Sequence, residues 1–500
     1  FFRGAKGDFE KEHSMSSPLA SLQPSFLWKH FDALRCIPRP SGHEEAVMAH
    51  LRSWAESRGL KHRSDAVGNV IVYVPGTKGR EKAPAVILQG HVDIVAEKDK
   101  STDFDFMKDP IEVVVEGDWV IALKTTLGAD NGIGVAAAQA VADDTSVSHG
   151  PLELLFTVDE ETALTGATNV DGSLFTGRTM LNLDSEEDGT LFVGCAGGCT
   201  TDLVCELSPS AAPQGWTELE INVTGLKGGH SGLAIHEDRG NAIKILAELL
   251  ARAIARGPLR LIRIEGGNKH NAIPREASAA IAVPAGSVPV VKELAAAVAR
   301  DTLQEIGGID PDLRIEVRPA EGRHPSASEA TTTRLVRLLQ ALPHGALVMS
   351  RDLPGLVETS TNVAVAATAD GRAEIITSSR SSVAPALRKV LDQIRAIGEL
   401  GGAKVSERNG YPGWQPNLAS PLLTLCRSTW KQLYGTEARV TAVHAGLECG
   451  IINERLGGGV DMISFGPWLE GVHAPGEKVN WKTVQRFFAF LSAVLNRLSS

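Results

Sequence analysis

The stretch APAVILQGHVDIV, residues 83–95, decides the fold. Ala85 to Leu88 form a continuous apolar run rather than an alternating one, so both faces of this strand must be covered. Such strands belong in an α/β sandwich, with helices on either side of the sheet. The run then ends on a different kind of residue, His91. Asp93 follows two positions later, on the same side of an extended chain. Ligands of open α/β sheets gather at the carboxyl ends of the strands, so this strand end is a candidate site.

The flanking sequence fits that architecture. Phe26 to Gly59 reads as an amphipathic helix, the loop CIPRPSGHEE and a second helix at helical spacing. GNVIVYVPG (68–76) reads as a strand, NGIGVAAAQAVADD (131–144) as a helix opening on Asn131 and Gly132. GPLELLFTVDEE and TMLNLDSEEDGTLFVGC supply further strands. After GCAGGC the character changes. TELEINVTGLKGGHSG alternates apolar and polar residues, as an antiparallel strand with one open face does, and GNAIKILAELLARAI is a long amphipathic helix. More alternating strands follow up to about Leu400, before YPGWQPNLASPLLTLCRSTWKQLYG resumes a buried helix. The sequence therefore predicts one α/β domain over 18–200 and 405–500, interrupted by an α+β domain over 201–404. Residues 1–17 carry mixed charge and no apolar core, and are expected to be a disordered leader or a cloning remnant.

Composition excludes several classes. The 500 residues are 43% hydrophobic and 22% charged, the balance of an ordinary globular protein. A net charge of −10 with no basic block argues against a nucleic-acid partner. No apolar run reaches the roughly 18 residues that a membrane helix needs. The six cysteines form no paired framework. CAGGC (195–199) lacks a second Cys or His pair at zinc-finger spacing. Sparse cysteine without a secretory signal favours a reducing cytoplasm.

Five positions repeat the theme of an acid or imidazole at a strand end or loop. They are His91 in LQGHVDIV, Asp130 in TTLGADNGIG, Glu161 in LLFTVDEETALTG, Asp184 in MLNLDSEEDG and His473 in GVHAPGEKV. Each has a bland reading alone: a loop histidine, a helix N-cap at Asp130, a solvated acidic turn at Glu160–Glu161. Together they are two imidazoles and three carboxylates, with Glu160 to spare. Like charges about 4 Å apart repel by about 4 kcal/mol at an effective dielectric of about 20, so gathering these acids demands cations. Two divalent ions would reverse the sign of the problem. Mixed His/carboxylate ligation suits Zn²⁺ first, with Mn²⁺ or Co²⁺ as alternatives. Asp93 is placed to hold the His91 imidazole in one tautomer.

GHVDIV, TTLGADNGIG, FTVDEETALTGA, LNLDSEEDG and GVHAPGEKV occur in the order that resembles the M20 family of zinc peptidases. IPRPSGHEE, VGCAGG, GGHSG and HAGLECG further resemble its aminoacyl-histidine dipeptidase group, over essentially all of the chain after Met15. The resemblance implies two zinc ions bridged by Asp130, with His91 and Asp184 on one and Glu161 and His473 on the other. Glu160 would be general base and acid, and Asp93 would orient His91. The inserted block would be a lid and homodimerisation domain. From it, His230 of GGHSG would supply an oxyanion donor; as a helix cap it would serve structure alone. Asn271 of NKHNAIPRE would bind substrate. Arg380 of TSSRSS would take the peptide's terminal carboxylate, against the plainer reading of a surface arginine on a strand. Glu448 and Gly446 of HAGLECG would line the cleft.

The activity so implied is hydrolysis of dipeptides, including those ending in His. A tripeptide aminopeptidase, a carboxypeptidase or an N-acyl-amino-acid deacylase would use the same centre. A metal-bound scaffold is the reading outside enzymes, and an unligated Glu160 beside the ions speaks against it.

Overall fold

The computed structural model describes residues 17–320 and 322–500. The leader expected over 1–17 thus lies, but for its last residue, outside the described residues. The chain divides into two compact units. The first comprises residues up to Val193 with Asn417–Thr441 and Ile451–Ser500; the second comprises Gly194–Pro416 with Ala442–Gly450.

An eight-stranded mixed sheet organises the first unit. The decisive strand, Val86–His91, is buried at every position. It lies parallel to Leu152–Thr157 on one side and to Thr179–Asn182 on the other, and Asp461–Ser464 continues the parallel set beyond Thr179–Asn182. Val70–Val74 and then Lys61–Ser64 extend one flank antiparallel. Four parallel strands therefore end on one edge, and their next residues lead to Asp93, to Glu160 and Glu161, to Asp184, and to the loop bearing His473. The helix Ala129–Asp143 is buried almost all round, which its Ala/Val/Gly composition permits.

The second unit is built on a nine-stranded antiparallel sheet. Its strands alternate in burial, as Trp216–Thr224 illustrates. Their apolar sides join Leu246, Leu250, Val298, Leu335, Leu339 and Ile394 of four helices in one core. Asn241 starts the first of these, Ala242–Ile254, by accepting from the amides of Ile243 and Lys244. Among the described residues, no helix is long and apolar enough to cross a membrane.

Candidate metal centre and the polar cluster of the second unit

In the first unit, Asp130 stands between two imidazoles. Its Oδ1 lies 3.1 Å from His91 Nε2 and its Oδ2 lies 3.2 Å from His473 Nε2. Asp184 Oδ1 is 3.2 Å from the same His91 nitrogen, and Glu161 Oε2 is 2.9 Å from the same His473 nitrogen. Ligand atoms of His91, Asp130 and Asp184 all lie within 4.8 Å of one another, and so do those of Asp130, Glu161 and His473. The same holds for His91, Glu160 and Glu161. All five sequence-predicted ligands and Glu160 thus come together.

These residues fit a cation better than they fit one another. Each imidazole nitrogen faces two carboxylates but can carry at most one proton. Asp184 Oδ1 is buried without a hydrogen-bond donor. Such an orphan acceptor is costly unless something positive completes it. The electrostatics agree. Burial pulls the His91 pKa down, yet Asp184 and Asp130 outweigh it and hold it well above the ordinary value. Asp130 and Glu161 push His473 up to about 11. Burial, with Asp130 nearby, raises Asp184 and Glu161. The cluster holds protons where a divalent ion would displace them.

Local structure explains how the acids are held. Gly128 takes a left-handed φ of 67° just before the Ala129–Asp143 helix, exposing a run of backbone N–H groups. Glu477 Oε2 accepts from Leu127 and Gly128 at 2.8 and 3.0 Å, and its Oε1 accepts from Ala129 at 2.9 Å. Arg39, buried, donates to the carbonyls of Val92 at 2.6 Å and Gly128 at 2.7 Å, so it ties the His91 strand end to the Asp130 loop. The hydrogen bonds of the Asp130 side chain go to imidazoles rather than to amides of its helix, against the N-cap reading.

Asp93 meets His91 Nδ1 through two of its groups. The nearest partner of His91 Nδ1 is the backbone carbonyl of Asp93 at 3.2 Å, with the carboxylate at 3.4 Å. The carboxylate accepts from the amides of Glu160 and Glu161 at 3.0 and 3.1 Å and from Ser41 Oγ at 2.8 Å. Burial would raise its pKa, but His91, the Glu160 amide and Ser41 hold it down to about 2. A permanent anion therefore pins the turn that carries both glutamates, which form the first residues of a short helix, Glu160–Ala163.

Sequence reading named Arg39 and Glu477 only as members of quoted motifs, because an arginine and a glutamate in loops carry no signal of what they brace. Glu186 likewise stood only inside a quoted motif, with no role given to it. Burial, Asp130 and Asp184 raise it to about 8. Its signal was the second acid in DSEEDG.

In the second unit, His230 Nδ1 accepts from the amides of Gly232 and Leu233, both at 3.2 Å. The local cap thus exists, and it fixes the tautomer: Nδ1 is the acceptor, so the proton sits on Nε2. Burial and then Arg380 lower the His230 pKa to about 4, leaving a neutral donor near pH 7. Asn271 continues into the two-residue strand that pairs with Gly229–His230, and its carbonyl accepts from Ser231 N at 2.8 Å. Arg380 is no surface residue. It is 8% exposed, with Nε buried and without a partner. Its Nη1 donates to Tyr411 Oη at 2.8 Å. Among the described residues no carboxylate pairs with it, so it is a buried cation awaiting an anion. Gly446 packs against the Tyr411 ring, where a Cβ would come within 3.0 Å of it. Glu448 is fully buried and opens the helix Glu448–Arg455. His444, which sequence reading left unassigned, meets Ser360 Oγ at 2.7 Å through Nε2, and burial followed by Arg380 lowers it to about 3.

Carboxylates and imidazoles converging at the carboxyl edge of a parallel sheet are the donor set of a metal-dependent enzyme. The chain belongs to peptidase family M20/M25/M40, whose sequence profile it matches over residues 87–497, and it is a peptide hydrolase. It is 38% identical over 482 residues to the cytosol non-specific dipeptidase of Escherichia coli strain K12, covering 96% of this chain and 99% of that one. It resembles the crystal structure of aminoacylhistidine dipeptidase from Vibrio alginolyticus at 38% identity and a TM-score of 0.89, covering 96% and 98% of the two chains. A tripeptidase from Staphylococcus aureus, 15% identical with a TM-score of 0.55 over 96% and 99% of the chains, shares the fold.

Proposed function

We propose that the protein is a two-zinc dipeptidase that cuts short peptides, including dipeptides ending in His, in the cytoplasm as a homodimer. The observation that carries this reading is Asp130, whose two oxygens face two separate imidazoles at 3.1 and 3.2 Å. His91, Asp130 and Asp184 would hold one ion, and Asp130, Glu161 and His473 the other. Co²⁺ or Mn²⁺ would fit the same donors. Bound ions would lower the pKa of water and polarise the scissile carbonyl.

The protein's own groups supply the rest. Glu160, held by its amide on Asp93, takes the proton from the attacking water and returns it to the departing amine. His230, neutral with its proton on Nε2, donates to the oxygen that gains charge. Arg380 receives the carboxylate of the peptide's last residue through parallel N–H donors, and Asn271 and the Gly446–Glu448 segment complete the substrate contacts. The second unit acts as lid and dimerisation domain. Among the described residues its outer strand Gly345–Met349 pairs with one strand only, and it exposes Leu347, Val348 and Met349, an apolar edge that a second copy would cover. Six cysteines without a disulfide suit the cytoplasm.

The test is turnover of a panel of Xaa-His dipeptides, tripeptides and acyl-amino acids, with chelator and with restored Zn²⁺. Dipeptides should be cut fastest, chelator should stop the reaction, and zinc should restore it. Faster cleavage of tripeptides or acyl-amino acids would refute the dipeptidase reading.

A further inference from the structure

GCAGGC was prominent in the sequence yet has no part in the chemistry described so far. Its glycine at 198 occupies a particular place in the second unit's sheet. Gly198 is paired in register with Arg380 on one neighbouring strand and with Tyr411 on the other. Residues in one cross-strand row share a face of the sheet. With strands about 4.8 Å apart, the Arg380 and Tyr411 backbones stand about 10 Å from each other. Only the missing side chain between them lets the two meet, at 2.8 Å from Nη1 to Oη. A Cβ on Gly198 would lie 2.6 Å from Tyr411 Oη and 2.7 Å from its Cζ.

The row is also aimed by a bulge. Arg408 pairs with Thr200 but Tyr411 pairs with Gly198, so three steps on one strand match two on the other. Asn409, at φ 52°, absorbs the extra residue in the left-handed region that asparagine tolerates. Without the bulge Gly410 would stand opposite Gly198, and the phenol would face the other side of the sheet. Gly446 then closes over the ring edge.

We propose that Tyr411 is a positioning residue that selects which edge of Arg380 meets the carboxylate of a substrate peptide, in a slot made by Gly198 and Gly446. The inference rests on the reading of Arg380 as the carboxylate receptor. By occupying Nη1, the phenol oxygen leaves the Nε–Nη2 edge as the free pair of parallel donors, and Nε is the buried donor without a partner. A guanidinium on a flexible stem would otherwise sample several edges, and a bidentate contact rewards the one held ready.

The test compares the zinc-loaded wild-type enzyme with Tyr411→Phe, Gly198→Ala and Arg380→Gln. Each is assayed on Ala-His and, by competitive inhibition, on its C-terminal amide. Losing one hydrogen bond to a charged group predicts about a tenfold rise in KM for Ala-His in Tyr411→Phe, with kcat changed less than about twofold. The inhibition constant of the amide should stay level. Gly198→Ala, which displaces the phenol, should shift the same ratio in the same direction. Equal losses for acid and amide, or no change in KM, would overturn the proposal by leaving Tyr411 a packing residue. If Arg380→Gln abolishes the preference for the free acid while Tyr411→Phe keeps it, only the positioning role falls. If Arg380→Gln also keeps it, the carboxylate reading itself falls.

Discussion

Four histidines of this chain divide by unit and behave as opposites. In the first unit, carboxylates surround the imidazoles and drive them toward the charged form, with His473 up to about 11. In the second, burial and Arg380 drive them toward the neutral form, with His230 down to about 4 and His444 to about 3. One residue type therefore serves two purposes. Where acids are in excess, imidazole would serve as a ligand once a metal ion displaced its proton. Where burial dominates and a guanidinium adds to it, imidazole stays neutral. Metal ions would complete the acid cluster of the first unit, and a peptide carboxylate would complete Arg380 of the second.

The sharpest way to break this comparison is to remove the residue common to both ligand groups. Asp130→Ala should reduce bound zinc from two ions per chain toward none, measured by elemental analysis, whereas Asp184→Ala should release one. Loss of a single ion from Asp130→Ala would end the bridging assignment. Next in size, Glu160→Gln should keep its metal but lose about 10²- to 10⁴-fold in kcat, the usual worth of a general base. Undiminished turnover in a metal-replete variant would remove Glu160 from the proton path.

On the other side, His230→Ala should lower kcat by about 10²-fold with zinc content unchanged, the scale of one lost oxyanion donor. A pure rise in KM would make His230 a binding group instead. The smallest effects concern pH. His230, His344 and His444 have folded pKa values below their unfolded value. Their contribution to stability is present above pH about 6.5 and lost as pH falls toward about 4 and then 3. Thermal melts of the second unit's helices, followed by hydrogen exchange, should therefore weaken over that window, and His344→Gln should flatten the slope. The first unit shows the reverse competition. Protons on His91 and His473 oppose metal, so zinc affinity should fall as pH falls, with proton release on binding seen by calorimetry in two buffers.

Much of the catalytic unit was legible because its signals are local. An apolar run ending in His91, and acids following the runs that end near Thr157 and Asn182, can be read along the chain. The braces could not be read that way. Glu477 holds a loop nearly 350 positions earlier, which no spacing announces. Asp93 was expected to orient His91; its carboxylate lies 3.4 Å from His91 Nδ1 and also accepts from the amides of Glu160 and Glu161, which no spacing announces. Arg380 kept the alternative reading of a surface arginine, because exposure of a strand residue depends on what packs over it. Residues 442–450 fall with the second unit although the chain on either side belongs to the first.

By itself, the sequence determined the layered α/β architecture, the set of metal-seeking side chains and the peptidase family they resemble. Periodicity and strand-end chemistry are properties of neighbouring residues. Only the tertiary structure decided which oxygen of Asp130 faces which imidazole, which groups fix the acidic turn, and that a glycine lets Arg380 reach Tyr411. Those facts belong to segments far apart in the chain, and packing alone brings them within hydrogen-bonding distance.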